Sequence, residues 1–282
     1  MTNTETETMQ SMLNNFRALL AQEEKAAGTI EKYCRDVQGF LTFAGERDMT
    51  KELTLAYKEK LMGEYAPVTV GSMLAALNVF LKKLGFHDCA VRTPKIQKEA
   101  FRPTEKDLEK DDYRSLLRTA LRMGKIRLYY IMETLCATGI RISELKFITV
   151  RSLEDGFVKV CSKGKQRTVL LPAGLCRKLK SYVRQQNITE GCIFVTRNGN
   201  PVDRSNIFHE MKNLCRHAGI EKKKVFPHNF RHLFAKTYYR AKKDLSHLAD
   251  LLGHSSINTT RIYTQVSDRE HSRQIDSLGL VL

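Results

Sequence analysis

The sequence lacks the paired cysteines that a zinc site or a disulfide framework needs. Its seven cysteines are scattered and odd in number, and none forms a Cys-x-x-Cys pair; they are Cys34, Cys89, Cys136, Cys161, Cys176, Cys192 and Cys215. Most stand beside aliphatic residues, which is typical of small buried hydrophobes in a reducing compartment. We therefore expect neither structural zinc nor disulfides.

The sequence also lacks a long apolar run and a signal peptide. Nothing approaches eighteen consecutive apolar residues, which is about the minimum for a membrane-spanning helix. The first eight residues, Met-Thr-Asn-Thr-Glu-Thr-Glu-Thr, are acidic and polar, whereas a signal peptide is basic and then apolar. We expect a cytoplasmic protein that is not embedded in a membrane.

Acidic residues are scarce relative to basic ones. The chain has 47 Lys and Arg against 31 Asp and Glu, a formal net charge of +16. Residues 1–98 hold 13 Lys and Arg and 12 Asp and Glu, so the remaining residues hold 34 and 19. A basic surface that merely keeps a protein soluble is one explanation. The concentration of the excess in the last two thirds of the chain favours a polyanionic partner.

The length favours two domains, because 282 residues are more than one small core usually accommodates. Residues 1–86 are typical of four amphipathic helices, with apolar residues at helical spacing. The periodicity lapses over residues 87–103, which contain Pro94, Pro103 and four basic residues, and we predict a linker there. Residues 104–282 form the predicted second domain.

The second domain is predicted to be mostly helical with a small antiparallel sheet. Thr104-Glu105-Lys106-Asp107 is a capping pattern that predicts a helix through about Met123, and a second helix is predicted over residues 127–138. Apolar and β-branched runs at 157–161 and 168–171 predict a hairpin with a cationic tip at 162–167. A third short strand is predicted at 193–195, and helices from residue 203 onward.

Four segments of this domain concentrate residues that suit phosphate chemistry. They are A-T-G-I-R-I-S-E-L at 137–145, the hairpin tip at 162–167, P-H-N-F-R-H at 227–232 and L-L-G-H-S-S-I-N-T-T-R-I-Y at 251–263. On a helix that begins near Pro227, His228 shares one face with Arg231 and His232, and such a face binds anions well. A metal ion is disfavoured there, because the adjacent Arg repels a cation.

Three of the four segments also have a plainer structural explanation. Arg141 could simply pair with Glu144, the basic hairpin tip could be an ordinary solvated turn, and a tyrosine near the end of a domain is usually half-buried packing. The pairing of Tyr263 with His254 nine residues earlier is what raises interest in the last segment.

Taken in this order, the four segments closely resemble the motifs of the tyrosine site-specific recombinases, the phage integrase family. The resemblance spans most of the chain and is most specific in the block H-x-x-R-H, L-G-H and Y. It implies a four-helix core-binding (SAM-like) N-terminal domain that clamps DNA, and a mainly α catalytic C-terminal domain. The site residues that it implies are Arg141, Lys163, His228, Arg231, His254 and Tyr263.

The resemblance implies cleavage of DNA through a 3′-phosphotyrosine intermediate, without metal, ATP or another cofactor. Tyr263 attacks, Arg141 and Arg231 hold the non-bridging oxygens of the scissile phosphate, and His254 donates a further hydrogen bond. His228 is the expected acceptor of the Tyr263 proton.

The remaining proton transfer, to the departing 5′-oxygen, is expected from a hairpin lysine. Lys163 is the expected donor; because the hairpin is one residue shorter than the family's usual pattern, Lys165 stays an alternative. Asn229 also stands where the family usually has Asp.

The implied partner is double-stranded DNA with an inverted-repeat site, on which the protein forms a tetramer through its C-terminal tail. The tail has apolar residues at Ile275, Leu278, Leu280, Val281 and Leu282, which could instead fold back on their own domain. Integration or excision of a mobile element, inversion and chromosome dimer resolution all use this chemistry. The alternatives are a type IB topoisomerase-like enzyme and a catalytically silent DNA-binding protein of the same fold.

Overall fold

The computed structural model describes residues 3–95, 107–162, 165–254, 256–263 and 276–277. The contacts between Cα atoms divide the chain into two compact units, Met1–Lys98 and Glu99–Leu282. Within the described residues, none of the helices combines the length and apolar character that crossing a bilayer requires.

The N-terminal unit is a small helical bundle, as the periodicity predicted. Its helices are α1 (Asn3–Gln22), α2 (Ala27–Ala44), α3 (Lys51–Glu64) and α4 (Pro67–Lys83), followed by a 3-10 turn at His87–Cys89. Phe16 and Phe80 meet edge to face in the core, with ring centroids 5.3 Å apart. Thr50 caps α3 by accepting a hydrogen bond from the backbone N–H of Leu53.

The first part of the predicted linker packs with this bundle. Cys89 and Val91 are buried in the N-terminal core. Asn78 on α4 fixes Val91, because its Oδ1 accepts from the Val91 N–H at 2.9 Å and its Nδ2 donates to the Val91 carbonyl at 2.7 Å. Residues 96–106 lie outside the described part, and the predicted domain boundaries stay a prediction.

The C-terminal unit begins with α5 (Lys110–Arg122) and α6 (Ile126–Thr138). The prediction that Thr104-Glu105-Lys106-Asp107 opens the first of these helices is wrong, because residues 107–109 are not helical. The side chains of Glu109 and Asp112 form the capping box instead. The predicted helix at 127–138 is confirmed.

In the part of this unit that the structure describes, eight further α-helices and strands follow. They are α7 (Val150–Asp155), β1 (Phe157–Ser162), β2 (Lys165–Leu170), α8 (Ala173–Gln185), α9 (Arg204–Ala218), α10 (Pro227–Lys242), α11 (Leu245–Leu252) and α12 (Ile257–Thr260). A 3-10 turn at Ile142–Phe147 follows α6, and another at Arg261–Tyr263 follows α12. The predicted fold class, mainly helical with a small antiparallel sheet, is confirmed.

The hairpin is tighter than the sequence suggested. β1 and β2 pair in register from Phe157 opposite Leu170 to Ser162 opposite Lys165, so only two residues separate the strands in the sequence. Gln166 and Arg167, which we placed at the tip, therefore belong to β2. The predicted third strand at 193–195 is wrong: the backbone there makes one isolated bridge, from Val195 to Pro201, and a second bridge joins the preceding residue, Cys192, to Thr149.

Candidate active site

Arg141 emerges from a glycine turn at the end of α6. Gly139 ends that helix with φ +63°, and a Cβ at this position would lie only 2.4 Å from the ring of Phe234. Only glycine fits both the backbone conformation and the space. The chain then turns so that Arg141 starts the following 3-10 turn with its side chain about one third exposed.

A single buried carboxylate holds Arg141 in place. Glu144 is 1% exposed and accepts three hydrogen bonds: from the Arg141 N–H at 2.9 Å, from Arg141 Nη1 at 2.9 Å and from Arg167 Nη2 at 2.6 Å. The ion pair between Arg141 and Glu144, which the sequence offered as an alternative explanation, is therefore present. Because Glu144 occupies only part of the guanidinium, the pair positions Arg141 and leaves it partly accessible.

Arg167 connects the hairpin to the last turn of α11 and to Gly253, which follows that helix. It donates from Nη1 to the Leu251 carbonyl at 2.9 Å as well as to Glu144, and its side chain is 11% exposed. Its aliphatic part lies against Gly253, where an added Cβ would come within 2.2 Å of Arg167 Cδ. Gly253 has φ +62°, so glycine is required there on both counts.

Arg231 is the most deeply buried of the three arginines. It lies on the first turns of α10, is 2% exposed, and donates to the carbonyls of Gly139 at 2.5 Å and Leu252 at 2.6 Å. Its Nη2 is also 3.2 Å from Nε2 of His254. The side chain of Arg231, in the segment at 227–232, therefore bonds to both the segment at 137–145 and the segment at 251–263.

The site carries more positive than negative charge. Three guanidinium groups, those of Arg141, Arg167 and Arg231, lie around the single carboxylate of Glu144. Burial, and after it the charge of Arg141, together lower the pKa of Arg231 to about 10. Arg231 therefore stays charged at neutral pH. An anion is the group that such an arrangement attracts.

Burial also lowers the pKa of His254 to about 4, with the three neighbouring arginine charges acting in the same direction. The imidazole is therefore neutral at pH 7. For Glu144, burial alone would raise the pKa, but the Arg141 N–H and the charges of Arg167 and Arg141 outweigh it and hold the pKa below 4.5. The carboxylate is therefore ionised at neutral pH.

Tyr263 lies in an aromatic cluster beside these groups. It is 3% exposed and packs with Ala235, Leu248 and Leu252. The His254 ring is nearly parallel to it with centroids 6.2 Å apart, and the His232 ring meets it edge to face at 4.8 Å. His232 in turn contacts His228 at 4.6 Å.

Four of the six predicted residues thus come together in the described structure. Arg231 hydrogen-bonds to His254, and Arg141 donates to the carbonyl of Gly253, the residue before His254. Tyr263 stacks on the His254 ring. His228 is exposed at the start of α10 and reaches the cluster through His232. Lys163, the side chain of Lys165 and the apolar tail at 275 and 278–282 lie outside the described residues.

Three residues of this site were not recognised from the sequence. His232 was noted only as a neighbour of His228, Arg167 was placed at the hairpin tip, and Thr260 was not singled out. Thr260 is fully buried, and its Oγ1 is 2.8 Å from Nδ1 of His254. The available signal was its position three residues before Tyr263 on a helical segment, which puts both on one face.

A metal site is not evident in the part of the chain that the structure describes, where no group of three or more His, Cys, Asp or Glu could hold an ion. The seven cysteines are all free, and Cys161 is exposed.

Comparison with known proteins relates the chain to one family. A model of the phage integrase family matches residues 106–270. The tyrosine recombinase XerA of Pyrococcus furiosus is 29% identical over 279 residues, covering 96% of this chain and 94% of its own. The tyrosine recombinase XerD of Listeria monocytogenes is 29% identical over 287 residues, covering 92% and 95%.

The fold has close counterparts among solved structures. The crystal structure of a lambda integrase tetramer bound to a Holliday junction is similar with a TM-score of 0.72 and 18% identity. That similarity covers 90% of this chain and 76% of the integrase chain.

Proposed function

The chain belongs to the phage integrase family, and on this basis we propose that it is a site-specific recombinase that cleaves and rejoins DNA through a 3′-phosphotyrosine link to Tyr263. The enzyme is a tyrosine recombinase like its Xer relatives. We also propose a role for each residue of the site in this reaction.

The charge of the site is the observation that carries this proposal. Three guanidinium groups surround one carboxylate, and a neutral imidazole and a tyrosine adjoin them. Among the described residues, Glu144 is the one carboxylate that pairs with these arginines, so the site has positive charge left to bind an additional anion. A phosphodiester supplies one negative charge and two non-bridging oxygens that accept hydrogen bonds from guanidinium groups.

The proposed reaction is an in-line displacement at phosphorus. The Tyr263 hydroxyl oxygen forms a bond to the phosphorus atom while the bond to the 5′-oxygen breaks, and the 3′-phosphate remains on the tyrosine. Arg141 and Arg231 stabilise the charge that builds on the non-bridging oxygens. A 5′-hydroxyl of another strand then attacks the phosphotyrosine. One phosphoester bond replaces another at each step, so no energy source is consumed.

Two proton transfers accompany the first step. An ordinary tyrosine has a pKa of about 10, so Tyr263 must lose its proton during the attack. We propose that His228 takes it, and the contact of His232 with both rings makes His232 the alternative acceptor. A hairpin lysine, Lys163 or Lys165, gives a proton to the departing 5′-oxygen.

The burial of Tyr263 has a consequence for DNA binding. Tyr263 is 3% exposed and Arg231 is 2% exposed, so neither side chain reaches a phosphate on the surface of a duplex in this conformation. We infer that the turn Arg261–Tyr263 shifts outward when DNA binds, which uncovers both side chains.

The proposed partner is double-stranded DNA with an inverted-repeat site, on which the protein assembles as a tetramer through its C-terminal tail. The excess of basic residues after residue 98 supports a DNA partner. The assembly is supported by the lambda integrase structure, which is a tetramer on a Holliday junction. A DNA substrate also implies a compartment that holds DNA, which we propose is the cytoplasm.

Covalent capture of DNA tests this function. Duplexes that bind the Tyr263→Phe protein are first selected from a randomised pool, and the recovered site is then made with a nick beside the cleavage position. The wild-type protein should form a complex that survives a denaturing gel. The Tyr263→Phe protein should bind equally well and form none, whereas Tyr65→Phe, at an exposed tyrosine, should behave as wild type.

The same experiment separates the two alternatives. Capture followed by resealing of the same strand, without exchange between two duplexes, would indicate a topoisomerase-like enzyme. Binding without capture by the wild type would indicate a silent DNA-binding protein, and a covalent band with Tyr263→Phe would exclude Tyr263 as the nucleophile.

A further inference from the structure

The two ring nitrogens of His254 have different neighbours. Nε2 lies 3.2 Å from Nη2 of Arg231, and Nδ1 lies 2.8 Å from Oγ1 of Thr260. A guanidinium has only donors, so Nε2 must accept the hydrogen bond and cannot carry a proton. In a neutral ring the proton is then on Nδ1, which donates it to the Thr260 hydroxyl.

This tautomer does not suit the proposed role of His254 at a phosphate. A non-bridging phosphate oxygen only accepts hydrogen bonds, so the nitrogen that faces it must carry a proton. Nδ1 points at Thr260, which is fully buried, and the nitrogen beside Arg231 is Nε2. Donation to the phosphate therefore requires the proton on Nε2.

A hydroxyl is suited to either arrangement, because it can accept from Nδ1–H or donate to a bare Nδ1 after rotation of one O–H bond. The two tautomers have the same composition and charge. Their exchange moves one proton between the ring nitrogens through solvent and needs no co-reactant. A phosphate oxygen near Nε2 favours the Nε2–H form, since it repels a lone pair and attracts a donor.

We propose that Thr260 is a positioning residue that sets the tautomer of His254: it holds Nδ1–H in the free protein and supports Nε2–H when the scissile phosphate is bound. The first half depends on the contacts of the free chain alone, and the second half rests on the function proposed above. Thr260 has no direct part in the chemistry and acts through His254.

The first half is tested by nuclear magnetic resonance of the free full-length protein with 15N-labelled histidine. Correlations between ring nitrogens and ring protons distinguish the tautomers, and the loss of one set of signals in His254→Gln identifies His254. We expect a neutral ring with the proton on Nδ1 at pH 7. A proton on Nε2, or on both nitrogens, would overturn the assignment.

The same spectra of the Tyr263→Phe protein on the selected duplex test the second half. That variant keeps the phosphate intact, and we expect the His254 proton on Nε2 in the complex. Retention of Nδ1–H in the complex would show that His254 does not donate to the phosphate and would overturn this half.

Three variants test the role of Thr260 in covalent capture. Thr260→Val replaces the hydroxyl by a methyl group of similar volume and should slow capture by about tenfold to a hundredfold, less than the loss of a full transition-state donor, which typically costs roughly a hundredfold or more. Thr260→Ser keeps the hydroxyl and should stay within a few fold of wild type. Thr259→Val, at the exposed neighbouring position, is the matched control and should not change the rate.

A positioning role also makes a prediction for the double variant. In a His254→Gln background, Thr260→Val should cause no further loss, because its effect passes through His254. An additive loss, or equal rates for Thr260→Val and Thr260→Ser, would overturn the proposal. Absence of capture by the wild type would refute the proposed function instead. If Thr260→Val does not fold, as judged by its thermal transition, the tautomer in the wild-type spectra decides.

Discussion

Replacing Glu144 by Gln should loosen the C-terminal unit around the three arginines of the candidate active site. The wild-type carboxylate is 1% exposed and accepts hydrogen bonds from both Arg141 and Arg167, while the charge of Arg231 lies close by. Glutamine has nearly the same volume, but it offers one accepting oxygen and turns an N–H₂ group toward guanidinium donors. The buried arginines would then repel one another without a counter-charge.

The structure sets the size of the effect. Removal of one partner from a buried ion pair costs about 3–5 kcal/mol, and the lower end applies here because Arg141 is one third exposed and water can solvate it. A loss of about 3 kcal/mol in a unit of this size lowers the midpoint of thermal unfolding by roughly 6–12 °C, at about 2–4 °C per kcal/mol.

The pH dependence of the stability difference between the wild type and Glu144→Gln gives a second check. The pKa of Glu144 in the folded protein lies below its ordinary value of 4.5, so the unfolded chain takes up the proton first as pH falls. The stabilisation is therefore fully present above pH 4.5 and is lost as pH falls through the folded-state pKa. The difference in thermal midpoint between the wild type and Glu144→Gln should be constant near neutral pH and should become smaller in acid.

Differential scanning calorimetry of the full chain at several pH values measures both quantities. Glu154→Gln, an exposed glutamate on α7, is the matched control and should shift stability by no more than about 0.5 kcal/mol. A Glu144→Gln midpoint equal to that of wild type at neutral pH would refute the reasoning. A gap that widened as pH fell would refute the assigned direction of the pKa shift.

Three further predictions concern DNA. Capture by Lys163→Ala should be restored on a substrate with a 5′-thiol leaving group, which needs no proton; restoration of Lys165→Ala instead would assign the donor to Lys165. Binding should weaken with salt, by roughly 10³ to 10⁵ between 50 and 200 mM for six to ten phosphate contacts, and a flat dependence measured by fluorescence anisotropy would show that the basic excess does not face DNA. Truncation after Asp268 should reduce assembly on a full site in gel shifts more than binding to one half-site, and an equal loss on both would indicate a tail that folds back on its own domain.

Much of the fold could be predicted from the sequence because the signals are local. Apolar residues at helical spacing in the first 86 residues correspond to α1 to α4, since one stripe of each helix must face the core. The start of a helix was predicted wrongly where several possible capping residues lie within a few positions of one another. The pattern at Thr104 has the composition of a cap, yet Glu109 and Asp112 form one five residues later and define the start of α5.

The residue types and spacings of the site were also evident in the sequence. A glycine turn before Arg141, an Arg three residues after His228 and a Tyr nine residues after His254 point to phosphate chemistry without any coordinates. Periodicity puts His228, Arg231 and His232 on one face of α10, but it does not tell which of them is buried. In the structure His228 is exposed and Arg231 is 2% exposed.

The sequence by itself determined the family, the mainly helical fold and the residue types available for the reaction, because these depend on local composition and spacing. Only the tertiary structure decided the contacts among them. Glu144 and Arg167 are 23 residues apart in the chain, and Arg231 and Gly139 are 92 apart, yet each pair is joined by a hydrogen bond. Burial shifts the pKa values of Arg231 and His254, and the partner of each ring nitrogen fixes the tautomer of His254. These properties depend on which distant segments meet and on how much water remains between them, and neither quantity is contained in the spacing of residues along a chain.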